Sequence, residues 1–138
     1  VTPAEIAALR AAVDADPRSA GGLLALPLAA TLKRGDAAHG ALRSADTLSR
    51  ESLWRALTPQ MFRLGALQRA LAAAVRDGRS PTDEAQALEW QGLAPRLVAG
   101  EATNLKVTTQ ADVTLAEAIL ASRALDAPRP AALSGAHP

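Results

Sequence analysis

Apolar positions along this chain change period several times, and each change marks an element. Thr2-Pro3-Ala4-Glu5 is a capping-box pattern with proline at the first helical position, and Ile6, Leu9 and Val13 follow at helical spacing. This predicts a helix ending near Asp14. "GLLALPLA" is a continuous apolar run bounded by glycine and closed by Pro27, the pattern of a strand buried on both faces. From about Ala29 to Glu51 polar and apolar residues alternate around a turn holding Gly35, Asp36 and His39. That is how a solvent-exposed hairpin or arm reads.

"LWRALTPQMF" reads as a strand that Thr58-Pro59-Gln60 brings to an end, because proline has no N–H and drives the preceding residue into an extended conformation. Leu64, Leu67, Leu71 and Val75 then mark the apolar face of a helix that stops at Gly78. "SPTDEAQALEWQG" carries a second helix, capped by Asp83 with Gln86 and closed at Gly92. "PRLVAG" and "NLKVTT" read as brief strands, and Thr109 with Asp112 caps a last helix through Leu115, Ile119 and Leu120. Residues 126–138, rich in Pro, Ala and Gly, read as a disordered tail. The alternation over residues 1–125 argues for an α/β domain with a mixed sheet. A free-standing doubly wound domain opens with a strand and a glycine-rich phosphate loop. Neither is present, so the pattern reads as the second half of such a domain.

Composition narrows the function classes. With 138 residues and 49% hydrophobic content, one compact domain is expected, and a net charge of +1 excludes a polyanion binder by bulk charge. Cysteine is absent, which removes disulfides and thiolate metal sites. No apolar run approaches a membrane span and no signal-peptide pattern opens the chain, so a soluble, cytoplasmic protein is the expectation. Basic charge falls almost entirely on arginine; Lys33 and Lys106 are the two exceptions. A compact ammonium does what a guanidinium does not, which singles out those positions. The chain opens with Val1 directly at a helix cap, which reads as a piece cut from something longer.

Polar residues cluster where strands are expected to end. Thr58, Thr82 and Lys106 would lie in the crevice where open α/β sheets collect ligands, and hydroxyls with an ammonium suit a phosphate. Each has a plainer reading alone: Thr82 as a cap neighbour, Thr58 bonded within its own turn, Arg50 solvated on the arm. His39 lies in the arm turn and His137 in the tail, so no histidine-dependent metal or acid–base site is expected. No serine sits in a nucleophile elbow. Arginines spread along the chain, with two tryptophans and one phenylalanine as the whole aromatic set, argue against a nucleic-acid surface.

"GGLLALPLAATLKR", "SRESLWRALTPQMF", "TDEAQALEWQG" and "NLKVTT" resemble, in this order, the C-terminal half of the 2-C-methyl-D-erythritol 4-phosphate cytidylyltransferases. The similarity runs from about Thr2 to Leu120. It implies a Rossmann-like nucleotidyltransferase fold with a projecting β-arm. The implied reaction joins methylerythritol phosphate to CTP with release of pyrophosphate, in non-mevalonate isoprenoid biosynthesis.

The resemblance also assigns residues. Lys106 matches the lysine that orients the attacking phosphate, and Arg50 the arm arginine that positions it. Thr31, Thr58 and Thr82 match hydroxyls lining the substrate pocket, with the threonine of the Thr-Pro-Gln turn packed by neighbouring aromatic side chains. Lys33 falls in the family's Thr-x-Lys arm motif. The arm crosses a homodimer in the family, so Thr31 and Arg50 would serve the partner's site. The family's nucleotide loop and the aspartate that holds Mg2+ would lie upstream of Val1, so this stretch alone is expected to be inactive and to hold no metal. Ala30, Ser49 and Thr103 stand where carboxylates are common in the family. The alternatives are a cytidylyltransferase for another polyol phosphate, such as ribitol phosphate, and a non-catalytic dimerisation module of the same fold.

Overall fold

The computed structural model describes residues 1–37 and 40–126, which form two compact units, one from Val1 to Asn104 and a second beginning at Leu105. The expected tail from residue 127 onward, His137 within it, and His39 lie outside the described residues. Asp126, counted with the tail in the sequence reading, closes the last helix instead.

Helix α1 spans Pro3–Asp14 and begins as its sequence requires. The Thr2 hydroxyl accepts from the Glu5 backbone N–H at 3.2 Å, and the Glu5 carboxylate accepts from the Thr2 N–H at 2.8 Å. Strand β1, Gly21–Pro27, is the centre of a three-stranded mixed sheet. It runs antiparallel to β4, Trp54–Phe62, and parallel to β5, Arg96–Ala99. Leu9 and Val13 of α1 pack on Leu24, with Leu57, Met61 and Val98 completing that cluster. Phe62, next to Met61 and so on the opposite side of its strand, joins a second cluster of Ala20, Ala70, Ala87 and Leu88. Helices therefore cover the sheet on both faces. Gly21 leaves no room for a side chain between β1 and β4: a Cβ built there would lie 2.3 Å from the Met61 carbonyl oxygen. Arg63, just past β4, donates to the carbonyls of Val13 and Ser19 and ties the end of α1 to the sheet.

The Thr-Pro-Gln stretch does not end its strand. It sits inside β4, at an irregularity in the ladder: β1 advances only from Leu23 to Ala25 while β4 runs from Gln60 back to Ala56. Leu57, Thr58 and Pro59 bulge out opposite Leu24. A proline is tolerated in a strand where a bulge has already interrupted the hydrogen bonds, and β4 is a margin of this sheet. The Thr58–Pro59 peptide is cis.

Strands β2, Leu32–Asp36, and β3, Arg43–Leu48, pair only with each other. All their residues except Leu32 and Leu48 are exposed, as expected of an arm. Lys33 donates across the pair to the Thr47 hydroxyl at 2.6 Å.

Two helices follow β4: α2, Leu64–Arg76, and α3, Glu84–Glu89. Of the leucine face expected to bury α2, Leu67 packs on the core cluster of Ala70, Ala87 and Leu88, but the ends of the face do not. Ala70, Ala73 and Ala74 face the core, while Leu64 is 69% and Val75 80% exposed. Alanines allow α2 to lie close against its neighbours, so Leu64 and Val75 are left outward while Leu67 stays against the core.

In the second unit, α4 spans Gln110–Asp126. The strand expected at "NLKVTT" is absent, and residues 104–109 are irregular. A strand requires a ladder partner, and among the described residues this segment has none.

Candidate functional site

The bulge carries Thr58 out of the ladder, and two sets of hydrogen bonds fix it there. The first runs toward β5. The buried Asn104 side-chain amide donates to the Thr58 carbonyl at 2.7 Å and to Glu5 Oε1 at 3.3 Å. Glu5 Oε1 also accepts from the Glu101 backbone N–H at 2.9 Å. Burial works against the Glu5 charge. The backbone N–H groups of Glu101 and Thr2, with the Thr2 hydroxyl and the Asn104 amide, outweigh it and hold the carboxyl below its ordinary range.

The second set runs toward α3. Gln60 Nε2 donates to Asp83 Oδ2 at 2.9 Å, and Gln60 Oε1 accepts from the Ala85 N–H at 3.3 Å. Asp83 caps α3 by accepting from the Gln86 N–H at 2.9 Å. Gln86 reaches back to the Thr82 N–H at 2.8 Å, one residue earlier than a reciprocal capping box would have it. Thr58 and Thr82 thus belong to one connected frame, and both are exposed.

Lys106 is exposed and opens the second unit two residues after Asn104. Asp112 closes the segment that carries it. Its Oδ2 accepts from the N–H and hydroxyl of both Thr108 and Thr109 at 2.7–3.0 Å. These donors, the two backbone groups first, lower its pKa to about 2. Within its own unit the lysine is followed, two residues on, by the threonines of the α4 cap.

The arm residues lie elsewhere. Arg50 donates to the Ala29 carbonyl and lines a concavity of about 640 Å3 at the arm base with Leu28, Glu51 and Trp54. None of Thr58, Thr82 and Lys106 lines it. Thr31 is exposed just before β2. Of the aromatic residues flanking Thr58 in sequence, Trp54 is 43% exposed at the arm base and Phe62 packs under α2. Sequence reasoning missed Gln60, Asn104 and the second role of Glu5. Each acts on a residue distant in the chain, and periodicity carries no sign of such pairs.

Comparison with known proteins decides the family. The model of the 2-C-methyl-D-erythritol 4-phosphate cytidylyltransferases matches residues 1–122. The chain belongs to this family. The cytidylyltransferase of Paraburkholderia phytofirmans is 51% identical over 134 residues, covering 97% of this chain and 52% of its own length. That of Ralstonia nicotianae is 55% identical over 125 residues, covering 90% of this chain and 48% of its own. The crystal structure of the Francisella tularensis cytidylyltransferase superposes with a TM-score of 0.75 at 31% identity, over 86% of this chain and 54% of its own. The chain thus spans about half the length of the curated relatives it matches, and the mixed α/β architecture expected from sequence is theirs.

Proposed function

We propose that this chain forms the acceptor side of a cytidylyltransferase that joins 2-C-methyl-D-erythritol 4-phosphate to CTP in isoprenoid synthesis. The observation that carries the reading is the frame around Thr58, which joins the Thr-Pro-Gln bulge to the Thr82 loop and to the segment leading to Lys106. It supports hydroxyls held at set positions for a phosphate, on a chain that matches the family at residues 1–122.

In this reading an oxygen of the acceptor phosphate attacks the α-phosphorus of CTP. A new P–O bond forms, the α–β bridging bond breaks, and pyrophosphate leaves with that electron pair. The protein's share is positioning and charge stabilisation. Thr58 and Thr82 donate hydrogen bonds to the acceptor, and Lys106 offsets the repulsion between the two phosphates. Arg50 and Thr31 act from the arm of a homodimer partner, in keeping with an Arg50 that lines a concavity at the arm base of its own chain. Mg2+ accompanies the family's chemistry as the resemblance implies. Among the described residues no group of three or more His, Asp or Glu side chains fits such an ion.

The test is pyrophosphate release from CTP by the complete natural protein, with methylerythritol phosphate or ribitol phosphate as acceptor. Release with the first and at least tenfold less with the second supports the reading. A preference for ribitol phosphate, or no acceptor-dependent release, overturns it.

A further inference from the structure

Glu5 does more than a capping residue needs to do. Its Oε2 serves the helix start, accepting from the N–H of Thr2 and, at 3.2 Å, from its hydroxyl. Glutamine would meet that need equally well, and a capping box can lie at the surface. Here the residue is 5% exposed, and its other oxygen turns inward to Glu101 and Asn104. No Lys, Arg or His among the described residues forms an ion pair with it. Its charge is held by neutral donors alone, which more than offset its burial, so the arrangement of those donors calls for an explanation. Gly100 leaves room for the approach: a Cβ there would stand 3.3 Å from Glu5 Oε1 and 2.8 Å from Leu57.

Donors arrive from both sides, two from Thr2 and two from the loop after β5. An amide in place of the carboxylate would present NH2 to one of these pairs whichever way it turned. Only a carboxylate accepts from both. The inward pair ends on the Thr58 carbonyl through Asn104, and Asn104 lies two residues before Lys106.

We propose that Glu5 is a positioning residue for the transfer reaction, holding the Glu101–Asn104 loop against the Thr58 bulge. This rests on the cytidylyltransferase reading above. Glu5 touches neither substrate in this scheme. It sets the backbone of Thr58 and the point from which the Lys106 segment departs.

The test uses Glu5→Gln, Asn104→Ala and the double variant in the complete natural protein, assayed by pyrophosphate release with methylerythritol phosphate. Glu5→Gln keeps the cap and loses the inward acceptor, so kcat should fall at least tenfold while KM for CTP stays within about twofold. Asn104→Ala breaks the same relay further along and should show the same split. The double variant should lose little beyond either single one, because both act through one contact chain. Should Glu5→Gln fail to fold, the kcat and KM split of Asn104→Ala decides alone. Variants with kcat within threefold of the parent, or multiplicative losses in the double variant, overturn the inference and leave the proposed function standing. A parent protein with no acceptor-dependent release overturns both.

Discussion

Asn104 offers the most direct check on how the candidate site is held together. Its amide makes a neutral, partly buried bond of 2.7 Å to the Thr58 carbonyl and a longer, buried one of 3.3 Å to the Glu5 carboxylate. A neutral bond contributes roughly 1 kcal/mol net, and one to a charged group about 1.5–3. Asn104→Leu should therefore destabilise this chain by about 2.5–4 kcal/mol. Asn104→Asp should be worse at pH 7, because it turns an acceptor toward two acceptors, one of them charged. The new carboxyl then has a pKa raised above its unfolded value. Its penalty is full above that raised value and fades as pH falls through it, when protonation restores a donor. Urea unfolding at pH 7 and pH 5 reads both effects. Asn104→Asp should lie below Asn104→Leu at pH 7 and close the gap at pH 5. A change under about 0.5 kcal/mol for Asn104→Leu, or no difference between the variants at pH 7, would refute the clamp.

Other expectations follow from single contacts. Gly21→Ala places a Cβ 2.3 Å from the Met61 carbonyl and 2.5 Å from the Phe62 ring at a φ of +151°, and should cost about 3 kcal/mol or more. A loss under 1 kcal/mol in urea unfolding would show that β1 and β4 do not approach so closely. Asp112, lowered from 3.8 to about 2, stabilises the start of α4 fully above about pH 4 and stops doing so as pH falls through 2. Carbon chemical shifts at Gln110–Val113 should lose helical character over that window, and Asp112→Ala should lack it already at pH 5. Gln60→Ala removes the link from the bulge to α3, so the Ala85 amide should exchange at least tenfold faster, with Leu9 in α1 unaffected. Equal acceleration at both would point to global loosening instead.

Local rules were legible wherever one element decided the outcome. The capping box at Thr2 and Glu5, the exposed arm and the Asp83 cap all follow from residues within a few positions of each other. Failures came where two elements meet. Leu64, Leu67, Leu71 and Val75 carry the helical periodicity of α2, yet Leu64 and Val75 are exposed and alanines fill the core beside Leu67, because close helix packing shifts the buried face. Pro59 suggested a strand end, but a strand with a bulge absorbs it. Leu105 to Thr109 has strand-like residues without a ladder partner among the described ones. For the site, the threonines and Lys106 were picked out by residue type and resemblance, whereas Glu5 and Asn104, 99 positions apart, meet only in three dimensions.

In the proposed function an acceptor phosphate is brought against CTP, with Lys106 stabilising the charge that gathers between them. Steady-state kinetics of Lys106→Ala in the complete natural protein test it most directly. Removing a charge that acts mainly in the transition state costs about 2.7–4 kcal/mol, so kcat should fall roughly a hundredfold to a thousandfold. KM for methylerythritol phosphate should change far less. A kcat within threefold of the parent, or a loss confined to KM, would contradict the account.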